Sequence, residues 1–114
     1  MKVIVSGGRD YNNKKLVFFA LNKLHEKENI ALLVVGDATG ADALATLWAR
    51  ENNVPFKVYE ALWDLEGKRA GPNRNKKMIE SNLDAKFLVA FPGGRGTKNA
   101  VSLAKKNKIT TIVF

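Results

Sequence analysis

The 114-residue chain has no cysteine and a single histidine. Disulfides, thiolate metal sites and cysteine nucleophiles are therefore excluded, and His25 alone cannot hold a metal. We expect no metal and no cofactor, and the lack of cysteine fits a cytoplasmic protein. Long apolar runs are also missing. The opening "MKVIVSGG" is far shorter than a signal-peptide core or the roughly 20 residues of a membrane span, so the expectation is a soluble, unprocessed chain without membrane contact. Neither GxGxxG nor GxxxxGK[ST] occurs, which counts against conventional dinucleotide binding and against ATP hydrolysis. Internal repeats, low-complexity tracts and linkers are absent too, so residues 1–114 read as one domain.

What is present is an alternation. Short apolar, β-branched runs, "KVIVS", "ALLVV", "VPFKVY", "KFLVAF" and "TTIVF", are separated by segments of helical period. Continuous rather than alternating apolar runs suggest strands covered on both faces. Leu16, Val17, Ala20, Leu21 and Leu24 share one helical stripe, with Asn12 or Asn13 available as N-cap. Ala41, Leu44, Ala45 and Trp48 form a second stripe, which puts Trp48 in the core. The third helix is expected after Pro72, with Met78, Ile79 and Leu83, because proline suits a first helical position. A fourth runs from about Thr97 to Asn107, with Ala100, Val101 and Ala104 inward. The segment from about Glu60 to Gly71 reads as irregular. The pattern predicts an α/β fold: a single Rossmann-like, doubly wound parallel sheet of about five strands with helices on both faces.

Ligands of such sheets bind beyond the carboxyl ends of the strands. The segments leaving the first, second and fourth apolar runs are "GGRDY", "GDATGAD" and "PGGRGT", while a tryptophan-containing loop follows the third. Glycine lets main-chain N–H groups approach a ligand, and a helix starting there adds the positive end of its dipole, so "PGGRGT" has the form of a phosphate cradle. Tight strand-to-helix turns also need glycine without any ligand, and only the convergence of several such loops favours binding. Lysine and arginine outnumber acids 19 to 11, a balance that attracts phosphates. Five of these cations lie in "KRAGPNRNKK", where Lys76 and Lys77 read as solvated.

Together, "SGGRDY", "GDATGADALATLWAR", "GKRAGPNRNKKM" and "FPGGRGTKNA" resemble the YspA-like branch of the SLOG superfamily, which includes the LOG phosphoribohydrolases and the DNA-processing protein DprA. The resemblance spans nearly the whole chain in order. It implies a nucleotide-type small-molecule ligand held at the glycine loops. The candidate contacts are Gly7, Gly8, Arg9 and Asp10 in the first loop, and Gly40 and Asp42 in the second. The third region offers Trp63, Lys68, Arg74 and Asn75, and the fourth Pro92, Gly93, Gly94, Arg95, Gly96 and Thr97. LOG enzymes cleave the base from a nucleoside 5′-monophosphate with an arginine and a glutamate. By the resemblance Arg74 matches the arginine, but the glutamate position is Ala100, which cannot donate or accept a proton. Catalytic residues therefore stay unassigned, Arg74 being the candidate, with Asp10, Asp42 or Glu66 as substitute acids.

Each residue also has a plainer role. Asp42, three residues after Thr39, could cap its helix rather than meet a ribose hydroxyl. Arg74 could bridge a phosphate or sit exposed, although a cation in a first turn opposes the dipole and calls for a nearby anion. Arg9 and Asp10 could pair with neighbours. Trp63 could stack on a base, Tyr11 could stack or pack, and His25 reads as solvated. Three functions follow: capture of a nucleotide or nucleotide-derived signal, as a sponge or sensor; N-glycosidic hydrolysis with a substituted acid; and, ranked last, single-stranded DNA binding, suggested by the charge of +8 and by the resemblance to DprA. The resemblance implies self-association as well, for which Phe18, Phe19 and the apolar helix faces offer material.

Overall fold

The computed structural model describes residues 1–114. Its strands are β1 (Lys2–Ser6), β2 (Leu32–Gly36), β3 (Phe56–Tyr59), β4 (Phe87–Ala90) and β5 (Thr110–Val113). They form one sheet in the order β3-β2-β1-β4-β5, with every pairing parallel. The helices are α1 (Lys14–Lys27), α2 (Ala41–Glu51), α3 (Trp63–Glu66), α4 (Ala70–Glu80) and α5 (Arg95–Lys106). The fold is thus α/β and Rossmann-like, as expected from the alternation of runs. No helix is long and apolar enough to cross a membrane.

Successive residues of a strand point to opposite faces, so the sheet feeds two cores. Val3, Val5, Leu33 and Val35 pack beneath α1 and α2 with Val17, Leu21, Ala45 and Trp48. Ile4, Val34 and Leu88 pack on the other side with Met78 and Ile79 of α4 and Ala100 and Ala104 of α5. The continuous apolar runs hold for β1, β2 and β4, which are covered on both faces. In the edge strands β3 and β5 some residues face solvent, Lys57 and Val58 among them.

A side-chain cap marks the start of α1, whereas α2, α3, α4 and α5 begin without one. The Asn13 side chain accepts the Leu16 N–H at 3.1 Å and so satisfies one of the unpaired donors of the first turn of α1. Trp48 is fully buried, and its indole N–H donates to Asn22 Oδ1 at 2.7 Å, which removes the cost of hiding that donor.

Four expectations need correction. Of residues 60–71 only 60–62 are irregular: α3 and a 3-10 turn over Gly67–Arg69 lead directly into α4. Pro72 therefore sits inside the first turn of α4 rather than at its first residue, and is tolerated because those N–H groups have no intrahelical acceptor. Leu83 lies beyond α4 and is exposed, since the helix ends at Glu80 before the stripe reaches it. His25 is half-buried: its Nδ1 accepts the Ile30 N–H at 2.9 Å, and its ring meets Trp48 edge-on. Phe18 packs partly against the first core, which leaves Phe19 as the exposed member of the pair.

Replacing Trp48 by alanine removes the largest fully buried side chain. It should lower the unfolding free energy by about 3–5 kcal/mol in urea denaturation.

Candidate functional site

The sheet order reverses between β1 and β4. β1 leads to α1 on one face and β4 leads to α5 on the other, so their exit loops diverge and leave a crevice between them. The two loops touch at its base, where the Gly8 N–H donates to the Pro92 carbonyl at 3.0 Å. A Cβ on Gly8 would lie 2.8 Å from that carbonyl oxygen, and one on Gly93 would lie 2.6 Å from the Gly8 nitrogen. Side chains at these two positions would therefore push the loops apart, which is one physical reason for the glycines there.

The crevice opens into a cleft of about 710 Å³, and a smaller hollow of about 290 Å³ adjoins it at Arg9, Asp37, Thr39 and Trp63. Only three of the 21 residues lining the main cleft are hydrophobic. A polar or charged ligand would find partners among the rest.

Every contact position read from the sequence lines this cleft except Gly40. Gly40, at φ 70°, turns against the backbone of Gly8 and Arg9, where a side chain would collide with both. Thr39, next to it, donates its hydroxyl to the Arg9 carbonyl at 2.7 Å. The cleft also includes Ser6, Ala38, Gly71, Pro72 and Asn99, which the sequence reading did not select as contacts, and Tyr11, for which stacking and packing were both open. Asn99 stands between the glycine loop and Ala100 in sequence, so the stretch was visible but its inward-facing member was not. Ala100 is fully buried in the second core.

Arg74 is the centre of the charged wall. Its guanidinium is held from two sides: Nη1 donates to Asp37 Oδ1 at 2.9 Å and Nε donates to Asn75 Oδ1 at 2.9 Å. Asp37, which the sequence reading did not name, supplies the opposite charge; Arg74 is the fifth residue of α4 rather than a member of its first turn, so it is the low exposure of the guanidinium, not the helix dipole, that calls for an anion. The other Asp37 oxygen accepts the Ala61 N–H at 3.3 Å, tying the ends of β2 and β3 together. The guanidinium lies over Gly36 at the end of β2. A Cβ at Gly36 would stand 2.7 Å from Arg74 Cζ and 2.8 Å from Asp42 Oδ2.

Asp42 is only 4% exposed. Its Oδ2 accepts the Ala38 N–H at 3.2 Å, whereas Thr39 is turned away to Arg9, so the T-x-x-D spacing does not close as a reciprocal capping box. Burial is the main influence on its carboxyl and pushes the pKa from 3.8 up to about 7. The Arg74 charge and the Ala38 N–H oppose that rise, and Asp37 adds to it.

Arg9 is not paired with an acid; its guanidinium lies over the Trp63 ring, 5.5 Å from the centroid. Trp63 opens α3 and is 47% exposed, so much of its surface stays available to a planar group. Tyr11 stacks on Phe91 at 5.7 Å between ring centroids while also lining the cleft. Lys68, Arg74 and Arg95 come from the basic half of the molecule. Residues 67–114 carry eleven lysines and arginines against two acids, and residues 1–66 eight against nine. The cleft therefore lies beside a one-sided positive field that draws in anions.

A doubly wound domain with a polar, cation-walled cleft at its switch point is the class these features define. Comparison with known proteins makes it more specific. Residues 1–65 match the model of the YspA, cpYpsA-related SLOG family. The Gene 61 protein of Mycobacterium phage D29 is 35% identical over 121 aligned residues, covering 99% of this chain and 95% of the phage protein. The chain belongs to this SLOG family.

Two outcomes are expected. Gly36→Ala should displace the Arg74 guanidinium, and crystal structures of the variant should show the contact with Asp37 broken. The raised Asp42 pKa also sets a pH dependence. Between about pH 4 and 7 the folded protein holds a proton that the unfolded chain has released, so stability should fall as pH rises through that window. Urea midpoints of the wild type and of Asp42→Asn, measured from pH 4 to 8, should differ in this slope, with the asparagine variant the flatter.

Proposed function

We propose that the cleft binds a nucleotide or nucleotide-derived signalling molecule and holds it without turnover, as a sequestering or sensing module. The observation that carries this reading is the pairing of a cation-walled polar cleft with Ala100 in the position where the hydrolases of the superfamily carry glutamate. The groups that would bind an anion are in place: the start of α5 with the Thr97 hydroxyl, the Gly8–Gly93 crevice, Arg74, Lys68 and Arg95. The half-exposed Trp63, beside Arg9, offers a plane for a base. A carboxyl group matching the hydrolases' glutamate is not. Membership in the SLOG family supports a nucleotide-related role, and the similarity to a phage protein fits capture of a host signal.

A thermal-shift screen with AMP, ADP-ribose and cyclic nucleotides should raise the melting temperature with at least one of them, because a ligand that binds only the folded state stabilises it. Failure of all three classes to move it would remove this reading.

A second reading rests on Asp42. A buried carboxyl titrating near 7 beside an arginine has the character of a general acid, and a hydrolase with that acid in place of the missing glutamate would release free base. Incubation with AMP, CMP and GMP, followed by chromatography for adenine, cytosine and guanine, separates the two: capture predicts none, and hydrolysis predicts release that Asp42→Asn abolishes.

A further inference from the structure

Arginine has donors only, and a backbone carbonyl accepts only; these two facts orient a whole row of amides in the cleft. Asn75 on α4 is 3% exposed and lies between Arg74 and α5. Facing the Arg74 Nε–H it must present its oxygen, and that contact is 2.9 Å. Facing the Gly96 carbonyl it must present its nitrogen, and Nδ2 meets that oxygen at 3.1 Å. The same Nδ2 meets the Asn99 side chain at 3.0 Å, so the Asn99 atom there must be the acceptor, Oδ1. Asn99 is then left with its Nδ2 directed away from Asn75. This nitrogen has no partner within the protein and is not buried, and Asn99 lines the cleft.

Arg74 is in the same condition. Nε and Nη1 are engaged by Asn75 and Asp37, and Nη2 has no acceptor in the protein. One buried asparagine thus fixes two neighbouring groups so that each offers the cleft unspent N–H donors and no acceptor. We infer that the Asn99 amide and the Arg74 guanidinium form an oxyanion subsite that receives the phosphate of the ligand. The subsite rests on the reading of the cleft as a nucleotide site and adds to it a contact residue and a selectivity: the wall favours an oxyanion over a neutral oxygen, which gains a weaker hydrogen bond, and over an ammonium group, which finds no acceptor in these two side chains. A carboxamide of the other orientation would present an oxygen and repel the same phosphate.

The test uses Asn99→Leu, of similar size but without donors, and Asn99→Asp, which still accepts from Asn75 but puts an oxygen where the donor was. Calorimetric titrations with AMP and ADP-ribose, and with adenosine as the phosphate-free control, are run on both variants and the wild type. Urea midpoints confirm that each variant is folded. Loss of one donor to a charged oxygen corresponds to about tenfold weaker binding for Asn99→Leu, and the reversed polarity to about a hundredfold for Asn99→Asp. Adenosine, bound or not, should respond equally in all three proteins. A wild type that binds AMP or ADP-ribose while Asn99→Leu binds them as tightly overturns the subsite and leaves the nucleotide reading standing. Equal losses for AMP and adenosine also overturn it, because the side chain would then act through shape. A wild type that binds none of the three compounds takes down subsite and nucleotide reading together. Should leucine prevent folding, the aspartate variant alone decides, since undiminished AMP and ADP-ribose binding by it is incompatible with a donor at that point.

Discussion

The carboxyl ends of β1 and β4 lie side by side while the chain leaves them toward opposite faces of the sheet, and the rest of the site depends on that divergence. Parallel strands need long crossovers, and a sheet whose crossovers cover both faces must reverse its order somewhere. At that place two loops separate, and here they are prevented from separating completely by the contact of Gly8 with Pro92 and Gly93. Bulky residues there would widen the crevice; the glycines keep it narrow at the base and leave the polar walls near one another.

The walls themselves are built by satisfying charges rather than by packing hydrocarbon. Arg74 would be a costly group to hold at 12% side-chain exposure without partners. Asp37 supplies the opposite charge, Asn75 the second acceptor, and the bare backbone of Gly36 the space. Asp42 sits close enough to feel Arg74 but is not joined to it in an ion pair, and its burial outweighs the attraction. A neutral Asp42 at slightly acid pH would leave the positive charge of the cleft less opposed.

The two helical layers divide the labour. The α1–α2 layer holds the larger core, with Trp48 at its centre, and its half of the chain is nearly balanced in charge. The α4–α5 layer packs on small residues, Ala100 and Ala104 among them, which lets its helices lie close together and brings Asn75 within reach of Gly96 and Asn99. The alanine that departs from the hydrolases' glutamate thus has a structural use of its own: it fills a position in the core.

The sequence alone determined the sheet, the central strands and Trp48 as core, offered Asn12 or Asn13 as the cap of α1, and named fifteen of the 21 residues around the cleft. The elements and the core follow from short-range physics, the period of the apolar residues and the donors a first turn leaves free, whereas the cleft residues follow from the glycine-rich strand exits together with the family resemblance. It also misread a few. The helical path from Trp63 to Arg69 contains no buried residue, so no periodic stripe marks it, and His25 is half-buried only because Ile30 and Trp48 happen to fold against it. What only the tertiary structure decided was partnership. Asp37 with Arg74 and Asn75 with Asn99 are pairs 37 and 24 residues apart, formed because crossovers bring distant strand ends and helices together. Residue type declares which groups can donate or accept, but which atom faces the ligand is settled by the neighbour on the other side, and that neighbour is set by the fold.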